Sequence, residues 1–246
     1  MNSPLSPAIG AGASPPATKV AASVSLLREA VARFGRVIYS SSLGVESVVL
    51  MDLIHANALP IDVFTVDTGR LPESTLELLE RLVRRYGRPI RVYYPDAQAL
   101  QNYVADHGIN GFYGSLELRQ RCCHIRKVEP FRRAVAGYGA WITGVRHDQS
   151  QVRAAVQPID MDDRYGIYKI SPLLDWTLAD IWAYVRTHKL PYNPLHDSGY
   201  PSIGCAPCTR AVEPGQDERA GRWWWESAES RECGLQPRAP GNLSDL

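Results

Sequence analysis

Five cysteines supply the most reactive side chains of this chain, and their spacing divides them into three groups. Cys122 and Cys123 are adjacent, Cys205 and Cys208 are two residues apart, and Cys233 stands alone. The Cys-x-x-Cys spacing lets two sulfurs reach one metal centre, whereas a disulfide between adjacent cysteines is strained. Four thiolates are the ligand set of tetrahedral zinc or of an iron–sulfur cluster. The spacing alone leaves the choice between zinc and an iron–sulfur cluster open.

The solitary Cys233 lies in the polar segment Arg231-Glu-Cys-Gly-Leu235 near the end of the chain. An exposed thiol reacts as its thiolate, whereas a buried structural cysteine is inert. Arg231 favours the thiolate and Glu232 opposes it. The segment alone is compatible with an incidental surface thiol as well as with a nucleophile.

Three polar loops follow predicted strands at the same edge of a predicted sheet. They are Ser40–Ser47, Asp67–Arg70 and Gly144–Ser150, and each carries serine, glycine or arginine. Ligands bind beyond the carboxyl ends of parallel strands, and a helix that starts there offers N–H groups to an oxyanion. A Gly-Lys-Ser/Thr sequence is absent, so the first loop is not the common nucleoside-triphosphate loop. Together the loops predict a cleft for an anion or a nucleotide.

The elements that must position these residues alternate along the chain. Helices are predicted over 20–34, 45–54, 72–86 and 177–185, and strands over 36–39, 61–66, 90–94, 140–145 and 165–170. Such alternation is typical of a parallel sheet with right-handed crossover helices. We expect a disordered N-terminus over 1–19, one core domain over 20–225, and a mobile C-terminal tail over 226–246 that carries Cys233.

Composition excludes several classes of function. The net charge of +1 gives no reason to expect a nucleic-acid partner. No apolar run reaches the roughly 18–20 residues that span a bilayer, and the first residues lack the pattern of a secretory signal. We therefore expect no membrane association and a cytoplasmic protein, in which grouped cysteines bind metal or react as thiols. The sequence is compatible with a homo-oligomer.

Four motifs carry a more specific resemblance. They are Cys122-Cys-His-Ile-Arg-Lys127, Gly204-Cys-Ala-Pro-Cys-Thr-Arg210, Glu218-Arg-Ala-Gly-Arg-Trp-Trp-Trp-Glu226 and Glu232-Cys-Gly-Leu235. In order and spacing they resemble the assimilatory adenylyl-sulfate reductases, which are part of the phosphoadenylyl-sulfate reductase family. Matching pieces run from about Ser40 to Leu235. The resemblance implies an α/β fold of the Rossmann-like adenine nucleotide alpha hydrolase (PP-loop) type, a parallel sheet with flanking helices.

The resemblance also implies the roles of individual residues. It places a [4Fe–4S] cluster on Cys122, Cys123, Cys205 and Cys208, and the catalytic thiol on Cys233. The substrate-binding positions that it implies are Ser40, Ser41, Ser42, Gly44, Glu46, Asp67, Thr68, Gly69, Arg70, Lys127, Arg146, Arg219 and Arg222. One position departs from the family pattern, because Gln236 stands where members commonly carry histidine.

The reaction implied is the thioredoxin-dependent reduction of adenylyl sulfate to sulfite and AMP, through an S-sulfocysteine on Cys233, in sulfate assimilation and cysteine biosynthesis. With four cysteines on the cluster, Cys233 has no resolving partner in the chain, so an external dithiol must attack it. One alternative is a reductase of the 3′-phosphorylated nucleotide, although such enzymes typically lack the cysteine pairs. An ATP-dependent ligase or thiolase of the same fold usually carries Ser-Gly-Gly-x-Asp-Ser, and here the loop reads Ser42-Leu-Gly-Val-Glu-Ser47. A non-catalytic iron–sulfur sensor would leave Cys233 unexplained.

Overall fold

A single sheet organises the chain, and most of its strands are parallel. The strands are β1 (Val37–Ser40), β2 (Ile61–Val66), β3 (Arg91–Tyr93), β4 (Ala140–Ile142), β5 (Ile159–Asp162) and β6 (Ile167–Ile170), in the order β3-β2-β1-β4-β6-β5. Among these described strands, β5 at the edge pairs antiparallel with β6 and the other pairings are parallel. The structure, a computed structural model, describes residues 16–149, 153–227, 230–231 and 234–235, so Cys233 and Gln236 lie outside it.

Helices cover both faces of this sheet. They are α1 (Ala17–Phe34), α2 (Val45–Ala56), α3 (Glu73–Tyr86), α4 (Ala97–His107), α5 (Leu116–Cys123), α6 (Glu129–Val135) and α7 (Leu178–Thr187), with a π-helical segment, His124–Val128, between α5 and α6. Short 3₁₀ turns lie at Gly111–Tyr113, His147–Gln149, Pro194–Ser198 and Ala206–Cys208. In the described part of the chain, no helix combines the length and the apolar character needed to cross a membrane.

Strand β1 shows how the sequence places the core. Val37 and Tyr39 belong to the large apolar cluster on one face, and Ile38 belongs to the cluster on the other face. Side chains alternate across a strand, so a run of apolar residues buries both faces. The second face is covered by α6, where Phe131 packs edge-on against Trp141 of β4 with 4.8 Å between ring centroids. The strands that carry the polar loops are therefore held rigidly from both sides.

The predicted fold class is confirmed, and the differences are local. Each predicted strand and helix is present within a few residues of its expected bounds, and a capping box of Thr177 and Asp180 begins α7. Helix α1 begins at Ala17, inside the segment predicted as a disordered N-terminus. The sequence analysis did not predict α4, α5, α6 or β5. These elements are short or mostly polar, so their periodicity is weak.

Candidate active site and cysteine cluster

A cavity of about 240 Å³ opens at the carboxyl ends of β1 and β4. Strand order reverses between these two strands, which is where ligands bind in open α/β sheets. Predicted site residues line it as follows: Ser40, Ser41, Ser42, Gly44, Glu46, Thr68, Lys127, Arg219 and Arg222. The described lining does not include Asp67, Gly69, Arg70 or Arg146. Nine of the predicted substrate-binding residues therefore surround one cavity, and their roles there are predictions.

The loop after β1 is held by its own hydroxyl groups. The Ser42 backbone N–H donates to Ser47 Oγ at 3.1 Å, and the Ser42 and Ser47 hydroxyls are 2.9 Å apart. Leu43 has a φ of 58°, a left-handed conformation that is uncommon for leucine, and its side chain is buried. The chain therefore turns tightly from β1 into α2 and presents small side chains to the cavity.

The loop after β2 connects the cavity to the cysteines rather than simply adding to the cavity wall. Thr68 lines the cavity, and its hydroxyl lies 3.2 Å from Cys205 Sγ. Arg70 turns away, because its guanidinium donates to the Ile109 carbonyl and to Asn110 Oδ1, both at 2.9 Å. Asp67 accepts the N–H of Gly69 at 2.8 Å and so shapes the turn.

Arg146 lies behind the cavity wall and is fully buried. Its guanidinium donates to Glu46 at 3.1 Å, to Glu218 at 3.0 Å, and to Asp148. Burial acts to lower the pKa of Arg146, but these carboxylates outweigh it and the pKa is raised. Since three carboxylates already share this guanidinium, Arg146 holds the wall together in this structure.

Three of the predicted cations line the cavity. Arg222 is buried, its guanidinium lies over the Trp223 ring at 4.7 Å, and Nη1 is 3.4 Å from Ser202 Oγ. A side chain at Gly204 would collide with this guanidinium, so glycine is required for the close approach. Lys127 and Arg219 also line the cavity. These cations are suited to bind an anionic group of a ligand.

The four paired cysteines come together beside these cations, and we call them the cysteine cluster. Cys122, Cys205 and Cys208 are buried in one group, with Cys123 packed against it, and none of them forms a disulfide. Burial acts to raise the pKa of Cys205, but Lys127, the Thr68 hydrogen bond and Arg222 outweigh it and lower that pKa. Burial raises the pKa of Cys208 to about 12.

The donor chemistry of the cysteine cluster fits the predicted cofactor. Three buried thiols with the half-buried Cys123 beside them are the donor set of an iron–sulfur cluster or of a four-cysteine zinc site. Within the described ranges, no three His, Cys, Asp or Glu side chains converge closely enough to hold a single metal ion. Which residues hold which cofactor therefore remains a proposal.

The π-helical segment explains how one stretch of chain serves both the cysteines and the cavity. Pro130 lacks an N–H and cannot complete the α-helical bond to the Arg126 carbonyl. Instead the N–H of Glu129 donates to the His124 carbonyl, five residues back. In this segment Arg126 donates to the Thr68 carbonyl at 2.5 Å, while Lys127 lines the cavity. Such segments are frequent at functional sites.

The end of the chain reaches the same cavity. Leu235 lines it, and Arg164 donates to the Gly234 carbonyl at 2.9 Å and to the Leu235 carbonyl at 3.1 Å. Arg164 is itself held by two 2.8 Å bonds to Asp162. Cys233, the predicted nucleophile, immediately precedes Gly234 and lies outside the described residues.

Some lining residues were not singled out from the sequence. His196 lines the cavity, and its Nε2 atom is buried with no hydrogen-bond partner in the described structure. Burial lowers the pKa of His196. Gln149 and Arg153 also line the cavity. The sequence signal that could have identified both residues was their position, since Gln149 lies in the polar loop that follows β4 and Arg153 comes just after that loop.

Comparison with known proteins identifies the family of this chain. Residues 36–211 match the family model described as the phosphoadenosine phosphosulfate reductase domain. An adenosine 5′-phosphosulfate reductase of Allochromatium vinosum is 50% identical, over 90% of this chain and 86% of that protein. The chain belongs to the adenosine 5′-phosphosulfate reductase family. A second such reductase, from Burkholderia cepacia, is also 50% identical, over 89% of this chain and 88% of its own length.

Solved structures place this reductase-family chain in the expected fold. The phosphoadenylyl-sulfate reductase of Candida auris, in a phosphate complex, has a TM-score of 0.66 and 29% identity and covers 78% of this chain and 90% of its own. Yeast FAD synthetase has a TM-score of 0.54 at 16% identity, covers 79% of this chain and 67% of its own, and supports the fold alone. The resemblance stated from the motifs is thereby confirmed at the level of family and fold.

Proposed function

We propose that this chain reduces adenylyl sulfate to sulfite and AMP, with a thioredoxin-like dithiol as the electron donor. The observation that carries the proposal is the position of the chain around Cys233. Leu235 lines the cavity and Arg164 holds the Gly234 and Leu235 carbonyls. The segment that carries Cys233 therefore reaches the cavity that Lys127 and Arg222 also line.

The reaction follows from thiol chemistry. The Cys233 thiolate attacks the sulfur of adenylyl sulfate, the bond from that sulfur to the bridging oxygen breaks, and AMP leaves with the electron pair. One thiol of the donor then attacks Cys233 Sγ and releases sulfite, which takes the electrons of the broken S–S bond. The second donor thiol closes its own disulfide and returns Cys233 as a thiol. The dithiol thus supplies both electrons.

The cations of the cavity allow an anion to attack an anion. Lys127, Arg219 and Arg222 all line the cavity, where they oppose the charge of the phosphosulfate and of the incoming thiolate. Arg222 is positioned before the substrate arrives, because its guanidinium is already packed against the Trp223 ring and the backbone at Gly204. In this proposal they bind the phosphosulfate.

We further propose that Cys122, Cys123, Cys205 and Cys208 hold a [4Fe–4S] cluster. Bound there, the cluster supplies a charged group beside the substrate anion and no electrons to the scheme, since two thiols account for both. Lys127 reaches the cavity and also lowers the pKa of Cys205, so this side chain joins the two centres. Thr68 joins them on the other side.

In the same proposal the tail over 226–246 closes over the substrate and then opens so that the donor dithiol reaches Cys233. The described residues of the tail are held at single points by arginines of the core, among them Arg164 at the Gly234 carbonyl and Arg219 at the Arg231 carbonyl at 3.1 Å, and these are the contacts that opening would have to release. Four free thiols suit a reducing compartment, which makes the cytoplasm the proposed location.

An anaerobic assay tests the proposal. The purified protein is supplied with adenylyl sulfate and reduced thioredoxin, and sulfite and AMP are quantified together with the iron and sulfide content. We expect sulfite and AMP in equal amounts, and about four irons per chain with a visible absorption band. Sulfite formation without thioredoxin or another dithiol, or AMP formation without sulfite, would overturn the proposal.

A further inference from the structure

A second groove, of about 400 Å³, runs between α3 and the turn that follows α7, and we call it the arginine groove. It is lined by Arg81, Arg84, Arg85, Lys189, Leu190 and Pro191, and the described lining of the cavity includes none of these residues. Most of the lining side chains are cationic. The proposed reaction gives them no role, so this charge needs a separate explanation.

The sequence concentrates positive charge at this place. Residues 81–91 contain five arginines and no acidic residue, in a chain whose net charge is only +1. Arg81 and Arg85 are one helical turn apart on α3, and like charges at that spacing repel each other and destabilise a helix. Lys189 adds a further cation from beyond the end of α7. A bound anion would relieve this repulsion.

The contacts of the arginines leave most of this charge unbalanced. Arg84 is paired with Glu80 on the same helix at 2.6 Å, which offsets its charge. Arg85 donates to the His188 and Lys189 carbonyls at 3.1 and 3.3 Å and so caps the carboxyl end of α7. Arg81 reaches the Tyr192 carbonyl at 3.5 Å, the outer limit of a hydrogen bond. Carbonyl groups carry no net charge, so these bonds orient Arg81 and Arg85 without neutralising them.

The arginine groove is held in shape by a buried carboxylate behind it. Tyr86 of α3 and Tyr184 of α7 donate to the two oxygens of Asp52 on α2, at 3.0 and 2.9 Å. The two bonds from Arg85 then tie the turn after α7 to α3. Donors that are fixed before a ligand arrives lose less conformational entropy when it binds.

The backbone of Lys189 gives an independent sign of a binding role. Its φ is 49°, a left-handed conformation that glycine usually adopts just after a helix. A lysine at such a position stores strain, and strained residues of this kind concentrate at ligand-binding sites. Glycine would relieve the strain but would remove the ammonium group from the groove.

We propose that the arginine groove binds a compact oxyanion of the phosphate or sulfate class, with more than one negative charge, on Arg81, Arg85 and Lys189. Guanidinium groups bind such oxygens through paired, charge-assisted hydrogen bonds, and the ammonium adds a point charge. The volume of the groove is that of a small-molecule site. This inference is separate from the proposed function, because the proposed reaction uses no residue of the groove.

Calorimetric titration of the purified holoenzyme with inorganic pyrophosphate at low ionic strength tests the inference. The variants are Arg81→Gln and Lys189→Gly, each of which removes one cation, and the second also replaces a strained residue by the one that suits its backbone. We expect a site whose affinity for pyrophosphate falls by about tenfold or more in each variant. Arg222→Gln, which changes the cavity instead, should leave this site unchanged.

Arg33→Gln is the matched control, since it removes an exposed arginine from an i,i+4 pair near the end of another helix. The inference is overturned if the wild type binds no pyrophosphate, if the folded Arg81→Gln and Lys189→Gly proteins bind it as tightly as the wild type, or if Arg33→Gln weakens binding equally. Loss of all binding in Arg222→Gln would also overturn it, because the anion would then occupy the cavity. None of these outcomes bears on sulfite release, which tests the proposed function separately.

Two further probes identify the source of the anion. Inorganic phosphate represents the free ion, and ribose 5-phosphate represents a phosphate ester of a larger molecule. Tighter binding of the ester at the groove assigns the site to a phosphorylated compound, and tighter binding of the free ion assigns it to an inorganic oxyanion. Either result supports the site as long as Arg81→Gln weakens it.

Discussion

The two sides of the cavity are built in different ways. The loop after β1 is completed by bonds between residues two to five positions apart, such as Ser42 with Ser47. The cysteine side is assembled from residues far apart in sequence, as in the contact between Thr68 and Cys205, 137 positions away. Local structure can form with its strand and helix, whereas the cysteine side requires the completed fold. The sulfur chemistry should therefore be the more fragile part.

Each side also contains one fully buried guanidinium, and the two have different surroundings. Arg146 is shared by three carboxylates and stabilises a wall of the cavity. Arg119 makes a bidentate pair with Glu226 at 2.8 and 2.6 Å and donates to the Ser230 carbonyl at 2.7 Å. Arg119 thus anchors the base of the tail to the helix that carries Cys122 and Cys123.

Replacing Cys233 by serine should abolish the reaction while it leaves both sides of the cavity intact. The variant keeps the cavity and the cysteine cluster but loses the nucleophile, so sulfite release should fall by about a thousandfold or more. AMP affinity and iron content should remain at the wild-type level. Sulfite release within tenfold of the wild type would contradict the assignment of Cys233.

Replacing Arg119 by alanine should destabilise the cysteine side. The side chains of this ion pair are 2% and 8% exposed, so the change leaves the Glu226 carboxylate buried without its partner. We expect the free energy of unfolding in urea to fall by about 3–5 kcal/mol. Arg84→Ala is the control, since the Arg84–Glu80 pair is largely exposed and should contribute below about 1 kcal/mol. Equal losses in the two variants would contradict this account.

The free energy of unfolding should depend on pH through Lys169 of β6. Burial lowers the pKa of Lys169 from 10.5 to about 8, and its ammonium lies 5.7 Å from the Trp141 ring, which lines the cavity. Between pH 8 and 10.5 the unfolded chain binds the proton and the folded chain does not, so the free energy of unfolding should rise with pH by roughly 3 kcal/mol. Below pH 8 both states are protonated and the folded state bears the whole penalty.

The variant Lys169→Met isolates this group. It removes the buried cation, so that part of the rise in stability between pH 8 and 10.5 should disappear, and stability at pH 7 should stay the same or increase. Urea unfolding at several pH values measures both. A wild-type slope that persists in Lys169→Met would show that other groups cause it.

The smallest expected effect concerns the contact that holds the tail to the sheet. Arg164→Ala removes the bonds to the Gly234 and Leu235 carbonyls, so kcat for sulfite release should fall by about tenfold. The affinity for AMP should change by less than about twofold, because Arg164 is not among the described lining residues. Arg33→Ala, in an exposed pair with Glu29, is the control. A large change in AMP affinity with unchanged kcat would place Arg164 on the nucleotide side instead.

The sequence predicted the sheet and its polar loops because their signals are local. The apolar run Val37–Tyr39 and the alternation of strands and helices require only neighbouring residues. Helices α5 and α6 escaped prediction because the segment is mostly polar and its helical register shifts by one residue at the π-helical turn. The edge strand β5 is short and half exposed, so it lacks a clear pattern.

The site was predictable in composition and less so in arrangement. The sequence places Arg146 in a polar loop after a predicted strand, but the direction of its side chain depends on Glu218, 72 positions away. Likewise the burial of His196 comes from packing against Trp182, with 5.4 Å between ring centroids. These contacts exist only in the folded chain, and the sequence carries no local sign of them.

The continuous helical segment from Leu116 to Val135 has a mechanical consequence. Cys122 and Cys123 lie on it, and Lys127 follows four residues later, so the separation between the cysteine cluster and the cavity is set by one stiff rod. A rise of about 1.5 Å per residue leaves little room for that separation to vary. In the proposed reaction, opening and closing of the tail would therefore change access to the substrate without altering the spacing between the two chemical centres.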